Sequence, residues 1–394
     1  MKNPVYLILL LFALAGCIEP YHAKTDSIDN ILVVEGIITS GTTLITLSKS
    51  VGLEDNIYDN IFGVNNAAVY VECEDGTKSP IAYPSWNPYA SYFSGWGNYL
   101  VETGELDTEK KYRLVIELDG EEYQSGYLAP AISPPVEVSF KLDQNDLINV
   151  CVSTTGFDQQ PGYYLWSYKE DWEITAIMYN DTVMIDGKLA FNDLYSADNR
   201  YYCWRKDSSR VLLLGTTERL IENTIREKAI WYFSRADNRF SVLYRINLFQ
   251  NTIHKEGYDY FYNLQKNIEQ TGSIFGTIPS EIMGNIKCVS NPEIPVIGYV
   301  DVSTTTSDEQ YLDSKYYDPR DRNGQYRQCE AFFDTIVPPR EPPKPGSGSL
   351  RFSQNGGMPP MPDELVIYVP EYCVDCTKNG GSKRKPESWP NNHQ

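Results

Sequence analysis

The chain has 394 residues, 41% of them hydrophobic, and sets 34 basic against 53 acidic side chains for a formal charge of −19. That length allows about two or three domains at ~150 residues each, with a sizeable core. So acidic a balance argues against nucleic acid and anionic membrane surfaces as partners, because both require basic patches, and leaves cationic, neutral or peptide-like partners open.

The chain opens with Lys2 and an apolar run at 5–14. The run is too short for a bilayer span of ~20 residues, so 1–16 reads as a cleavable signal peptide. Leu14-Ala15-Gly16-Cys17 resembles the lipobox of bacterial lipoproteins, whose Cys thiol is diacylated and becomes the new N-terminus. Cys17 is therefore the expected lipidation site; the alternative is an ordinary secretory signal with a chance Cys. Several acyl chains at ~0.8 kcal/mol per buried CH₂ hold a protein to a membrane almost permanently. Residues 17–29 carry no apolar period and read as the lipidated tether. Seven further cysteines, at 73, 151, 203, 288, 329, 373 and 376, then leave an odd number in a compartment where disulfides persist. At least one thiol must be unpaired or bonded elsewhere.

From 30 to 133 the texture is that of short β-branched and aromatic runs: ILVVEGI, TLITLSKS, AAVYVEC, KYRLVIEL and EEYQSGYL. Their period of two and the turn residues between them predict an immunoglobulin-like β-sandwich. Asp75-Gly76 and Asp119-Gly120 fall between runs, where type I′ turns accept Asp-Gly. Tyr83, Trp86, Tyr89, Tyr92, Phe93, Trp96 and Tyr99 crowd a segment broken by Pro84, Pro88, Gly95 and Gly97. Rings with a polar handle on loops suit recognition, and Trp86, Tyr89 and Trp96 are the candidate contact residues. Alternatively Tyr92 and Phe93 pack inward from a strand while the others cap the sandwich.

Prolines at 130, 134 and 135 mark a boundary. Residues 134–337 read as a second, larger β-sandwich or barrel-like domain, with strands in VEVSFKL, INVCVST, YYLWSYKEDWEITAIMY, a TVMIDGKLAF hairpin, RVLLLG and SVLYRINLFQ. The spacing of Phe261, Leu264 and Ile268 predicts a helix over 255–270. A weaker helical period runs through ERLIENTIREKAI at 218–230. Residues 338–362 are too rich in Pro, Gly and Ser to build a core and read as a linker or exposed loop. The chain ends over 363–394 in a short apolar strand and a polar, basic, Cys-containing tail. The fold class expected is all-β with a minor helix.

Motifs for catalysis are missing. Only His22, His254 and His393 exist, and there is no GxSxG, HExxH, P-loop or strand-bounded GxGxxG. His254 reads as a partly exposed helix residue, and no catalytic residue, cofactor or metal is assigned. Cys373-Val374-Asp375-Cys376 has CxxC spacing, but lacks the βαβ setting of a redox pair and the further ligands of a zinc site. Structural disulfides fit better, with Cys203, Cys288, Cys329, Cys373 and Cys376 as candidates in no assigned connectivity. Asp318, Asp321 and Asn323-Gly324 resemble a calcium loop but lack its closing Glu, so an Asx-rich turn is expected.

In order and spacing, ILVVEGIIT, KYRLVIELDGEEYQSG, Tyr202-Cys203-Trp204, GYDYFYNLQKNIEQTGSIFGTIP, GNIKCVSNPEIPVIGYV and EYCVDCTKNGGSKRKPESW resemble the domain-of-unknown-function 4249 family. The similarity spans nearly the whole mature chain; Glu387-Ser388 before Trp389 is a small departure. The resemblance implies a Bacteroidota lipoprotein at the outer membrane, facing the cell surface, encoded beside a TonB-dependent receptor. It implies no established reaction. The function expected is an accessory binding subunit of such a receptor, capturing or gating an unknown solute during nutrient uptake. The alternative is a structural or adhesive envelope protein with no small-molecule ligand.

Overall fold

The computed structural model describes residues 30–50, 63–84, 97–157, 160–179, 182–185, 188–194, 196, 199–270, 284–318, 329, 332–335, 349–352 and 365–390. The signal peptide, Cys17 and the tether lie outside the described residues.

Alternation builds the first unit. In β2 (Gly41–Lys49), Thr43, Ile45 and Leu47 are buried while Leu44 faces out. β2 pairs with β1 (Leu32–Ile38) and β4 (Asn98–Gly104), and β17 (Val296–Val302) completes the sheet in the order β17-β1-β2-β4. The facing sheet consists of β16 (Ile286–Cys288), β6 (Glu121–Ser125), β5 (Tyr112–Leu118) and β3 (Ala68–Cys73), in that order. Val34, Ile45, Leu47 and Val101 meet Val69, Val71, Leu114 and Ile116 in one core, the expected all-β sandwich. Asp119 and Gly120 both have positive φ, as the type I′ turn between β5 and β6 requires. At Asp75-Gly76 only Gly76 does, so that turn is not type I′; the Gly76 N–H closes it onto the Cys73 carbonyl.

β17 revises the reading of 134–337 as a contiguous second domain. It runs parallel to β1 in register from Leu32↔Val296 to Ile38↔Val302, and β16 pairs with β6. β1 would otherwise present an open edge, and the chain returns after a long excursion to cover it. Gly298 permits the approach, because a Cβ there would run into the Val34 carbonyl oxygen.

The second unit is also a sandwich, with no closed barrel among the described residues. Its larger sheet orders β12 (Tyr202–Ser208), β9 (Tyr163–Thr175), β15 (Leu243–Thr252) and β18 (Thr305–Asp313), with β13 (Leu213–Thr216) beside β9. The smaller sheet orders β14 (Thr224–Ser234), β8 (Leu147–Thr155) and β7 (Val136–Leu142). Trp166, Tyr244, Ile246 and Leu248 pack on Ile148, Val150 and Val152 between them. The weaker helix expected within 218–230 is corrected here: Thr224 onward is strand. Register shifts between Ile225 and Lys228 and between Ala229 and Trp231 break the period of two, and the resulting apolar spacing imitates a helix. The expected helix at 255–270 is α1 (Lys255–Gln270).

The hairpin of β10 (Thr182–Ile185) and β11 (Lys188–Phe191) is present, as is a small sheet β19-β21-β20 from β19 (Phe332–Thr335), β20 (Ser349–Phe352) and β21 (Leu365–Pro370). The linker reading of 338–362 thus gives way to a strand at β20; the rest of that segment lies outside the described residues. Disulfides join Cys203 to Cys376 and Cys329 to Cys373. Cys288 corrects its reading as a disulfide candidate. It is a free, buried thiol on β16 whose sulfur neighbours Glu121 at 3.8 Å and Ser290 at 3.5 Å. Cys73 and Cys151 are also free and buried.

One charge lies inside the second core. Glu170 of β9 is 3% exposed; it accepts from Arg239 Nη1 at 2.8 Å and from the Tyr244 hydroxyl at 2.7 Å. Arg239 lies over the rings of Phe233 and Trp172. Burial pushes the Glu170 carboxyl up, opposed by Arg239 and the Tyr244 hydrogen bond. Arg239→Met strands this carboxylate and is expected to cost about 3–5 kcal/mol in urea unfolding, whereas Glu170→Gln/Arg239→Met together cost clearly less.

Candidate functional site

α1 brings the two sandwiches together. Gly257, Tyr260, Phe261 and Leu264, at helical spacing, form its inward face. Tyr260 and Phe261 pack on Tyr299 of β17, at ring distances of 5.7 and 6.3 Å, while Tyr258 meets Tyr163 of β9 at 5.3 Å. Leu165, Leu212 and Leu214 from the second sandwich and Ile37 from the first join the same cluster.

Asp301 of β17 fixes where the helix begins. Its carboxylate is fully buried and accepts from the His254 backbone N–H at 2.9 Å and the Val302 N–H at 2.8 Å. His254 Nδ1 lies 2.6 Å from the same carboxylate. An acidic group at a helix N-terminus satisfies orphan donors and opposes the positive end of the dipole. Gly257 leaves room for it: a Cβ there would lie 2.6 Å from Asp301 Oδ2 and 2.8 Å from the Tyr299 ring. His254 is thus a capping residue paired with a carboxylate, half-exposed at the helix start.

Beside this junction a cavity of about 570 Å³ opens between the sandwiches. Val34, Gly36 and Ile37 form one wall, Leu165, Val211 and Leu212 the opposite one, and Tyr260, Phe261 and Leu264 the end. Glu35, Ser209, Arg210 and Gln265 supply the polar groups. Glu35 keeps solvent contact, yet the crowding of the groove raises its carboxyl by desolvation. Burial, with the Glu35 charge adding to it, pushes the Tyr260 phenol up to about 12, and burial beside Asp301 raises Tyr299 further. An apolar groove with a few convergent polar groups is built for holding a ligand.

The residues singled out from sequence fall elsewhere. Trp86, Tyr89 and Trp96 lie outside the described residues, as do Asp321, Asn323 and Gly324. Of the same aromatic run, Tyr83 is 77% exposed whereas Tyr99 is a core residue, its hydroxyl donating to the Val64 carbonyl and accepting from the Ala67 N–H. The two cysteines of the CxxC spacing go to different partners, so they are not a dithiol pair. Among the described residues no three His, Cys, Asp or Glu side chains cluster to hold a metal. In the sequence the groove residues are legible only as core: Phe261 and Leu264 have the spacing of an apolar helix stripe, and nothing local marks β1 as their partner.

The Asp301 hydrogen bond raises the His254 pKa above its ordinary 6.5, burial opposing. The folded form therefore holds the proton more tightly, so the contribution of the pair is complete below about pH 6.5 and fades as pH rises through the folded value. His254→Asn is expected to lower the urea midpoint more at about pH 5.5 than at about pH 9, as read by tryptophan fluorescence.

No protein of curated function matches the chain. Among solved structures, a crystal structure of bovine butyrophilin is similar over 57% of this chain and 92% of its own, at 10% identity and a TM-score of 0.16. The model of the family described as Domain of unknown function (DUF4249) matches residues 18–309. The chain belongs to that family.

Proposed function

We propose that this protein is a lipid-anchored outer-membrane subunit that works beside a TonB-dependent receptor, and that it holds the apolar part of a solute in the groove between its sandwiches. The groove carries the reading. Its walls come from strands of two packed cores and a helix tied to both, so the cavity is preformed and little ordering cost attaches to binding. Glu35, Arg210 and Gln265 at its margin give a ligand with polar ends something to orient against. The lipobox at Cys17 and the family setting supply the membrane and the receptor in this proposal. Anchoring suits such a role, because a tethered binder stays at high effective concentration beside its partner.

Two measurements check it. The tagged full chain, isolated from membranes in mild detergent, is expected to bring down a large β-barrel receptor; recovery without one favours an adhesive or structural role. The neutral apolar dye N-phenyl-1-naphthylamine is expected to bind the purified protein saturably. Val211 is 47% exposed at the groove, so Val211→Trp fills the cavity without disturbing a core. It is expected to weaken dye binding by roughly fivefold or more, about the worth of one lost apolar contact patch, with the melting temperature unchanged. Undiminished dye binding would sink the groove as the binding element.

A further inference from the structure

The groove between the sandwiches carries one charge that no described residue answers. Along β1, Leu32, Val34 and Ile38 point into the first core, so the period of two turns Glu35 and Ile37 to the other face, toward α1 and the second sandwich. β17 repeats the division: Val300 and Val302 enter the core, while Tyr299 and Asp301 face the helix. The parallel register sets Glu35 beside Tyr299 and Ile37 beside Asp301, and residues paired in register share a face of the sheet. Tyr260 and Phe261 of α1 pack on that Tyr299, so Glu35 and three aromatic rings border one space. The Glu35 charge is felt at the Tyr260 phenol, which keeps the two close together.

Glu35 makes no hydrogen bond or ion pair with any described residue. Burial alone raises its carboxyl, with no basic group near enough to oppose. Across β2 its partner is Thr46, whose hydroxyl is committed to Asn98 at 2.9 Å. Arg210, the one basic side chain among the described residues of the groove, is turned to Asp207 at 2.9 Å. A larger cavity, of about 730 Å³ beneath the C-terminal segment 376–390, differs: there Asp171 is held by Arg245 at 2.6 Å and Glu170 by Arg239 at 2.8 Å.

Glu35 keeps a side to solvent, where water can hydrate it. A solute that fills the groove displaces that water. A neutral hydrocarbon end would leave the carboxylate buried and unpaired, and an anionic end would repel it, whereas a charged donor compensates the lost hydration. The neighbouring rings add to the attraction, because cations are drawn to aromatic faces.

We infer that the groove selects a small amphipathic amine, whose ammonium group pairs with the Glu35 carboxylate beside Tyr299 and Tyr260 while its apolar body lies along Ile37, Leu165 and Val211. This assignment rests on the groove being the binding element and adds the charge of what it binds. A formal charge of −19 also favours the approach of a cation at long range.

Calorimetry on the full chain in neutral detergent, with titration into detergent alone subtracted, compares probes of one shape: 4-phenylbutylamine, 4-phenylbutan-1-ol and 4-phenylbutyrate. At about pH 7.5 the amine is fully charged. It is expected to bind saturably and about tenfold or more tighter than the alcohol, with the carboxylate weakest. Glu35→Gln is expected to cut amine affinity by about tenfold while alcohol affinity stays as in the parent, which also shows the groove intact. Val211→Trp is expected to weaken amine and alcohol alike. An amine no tighter than the alcohol, or a preference that survives Glu35→Gln, overturns the ammonium site, and the groove still stands if Val211→Trp weakens the alcohol. Binding of every probe untouched by Val211→Trp, or weaker than ~1 mM in the parent, removes the groove as the binding element and the ammonium site with it.

Discussion

A single buried carboxylate holds the two halves of this molecule in relation to each other. Asp301 belongs to the strand that closes the first sandwich, and it accepts two backbone N–H groups and faces the His254 ring at the start of the helix that leaves the second. Charge-assisted hydrogen bonds of this kind contribute about 1.5–3 kcal/mol each, and the unmade alternative, a bare carboxylate with no exposure, is far more costly. The groove, the α1 face and the seating of Tyr260, Phe261 and Tyr299 all follow from that anchorage.

What could be read from sequence was whatever is encoded locally. Period-two runs such as TLITLSK and YRLVIEL became strands because one face of each meets a core, and α1 was visible because its apolar residues recur at helical spacing. β14 was hidden by its own bulges, which scramble the alternation. The β1–β17 pairing was hidden by distance along the chain, since no spacing rule links Leu32 to Val296. The groove inherits that invisibility, as its walls come from both partners of the hidden pairing and from a helix whose inward residues look like ordinary core. Cysteine arithmetic, which expected an unpaired thiol only on the premise that Cys17 carries lipid, did not say which thiols stay free; burial of Cys73, Cys151 and Cys288 explains how these three persist unbridged.

The two cavities divide along chemical lines. The groove between the sandwiches is apolar with a raised carboxyl at its margin, whereas a second cavity, under the C-terminal segment 376–390, is lined by charged side chains of both signs. A formal charge of −19 describes the molecule only at long range. At physiological ionic strength exposed charges more than ~8 Å apart are largely screened, so the balance of charge at any one site is set by its near neighbours. The exclusion of nucleic acid drawn from composition rests on extended basic patches and is untouched by one cleft.

The late closure of the first sandwich has a consequence for how this chain comes into being. When residues 30–133 emerge during synthesis, they carry six of the eight strands of their two sheets, all but β16 and β17, so the nascent unit leaves one edge of β1 and one edge of β6 open. A flat edge ready to pair is an invitation to other chains, and it stays open until residues 286–302 arrive some 150 positions later. Folding of the N-terminal unit is therefore coupled to completion of the second sandwich, whose last strands flank the returning segment. A protein built this way has a high contact order by construction, and needs protection of that edge for the time its missing strands take to appear.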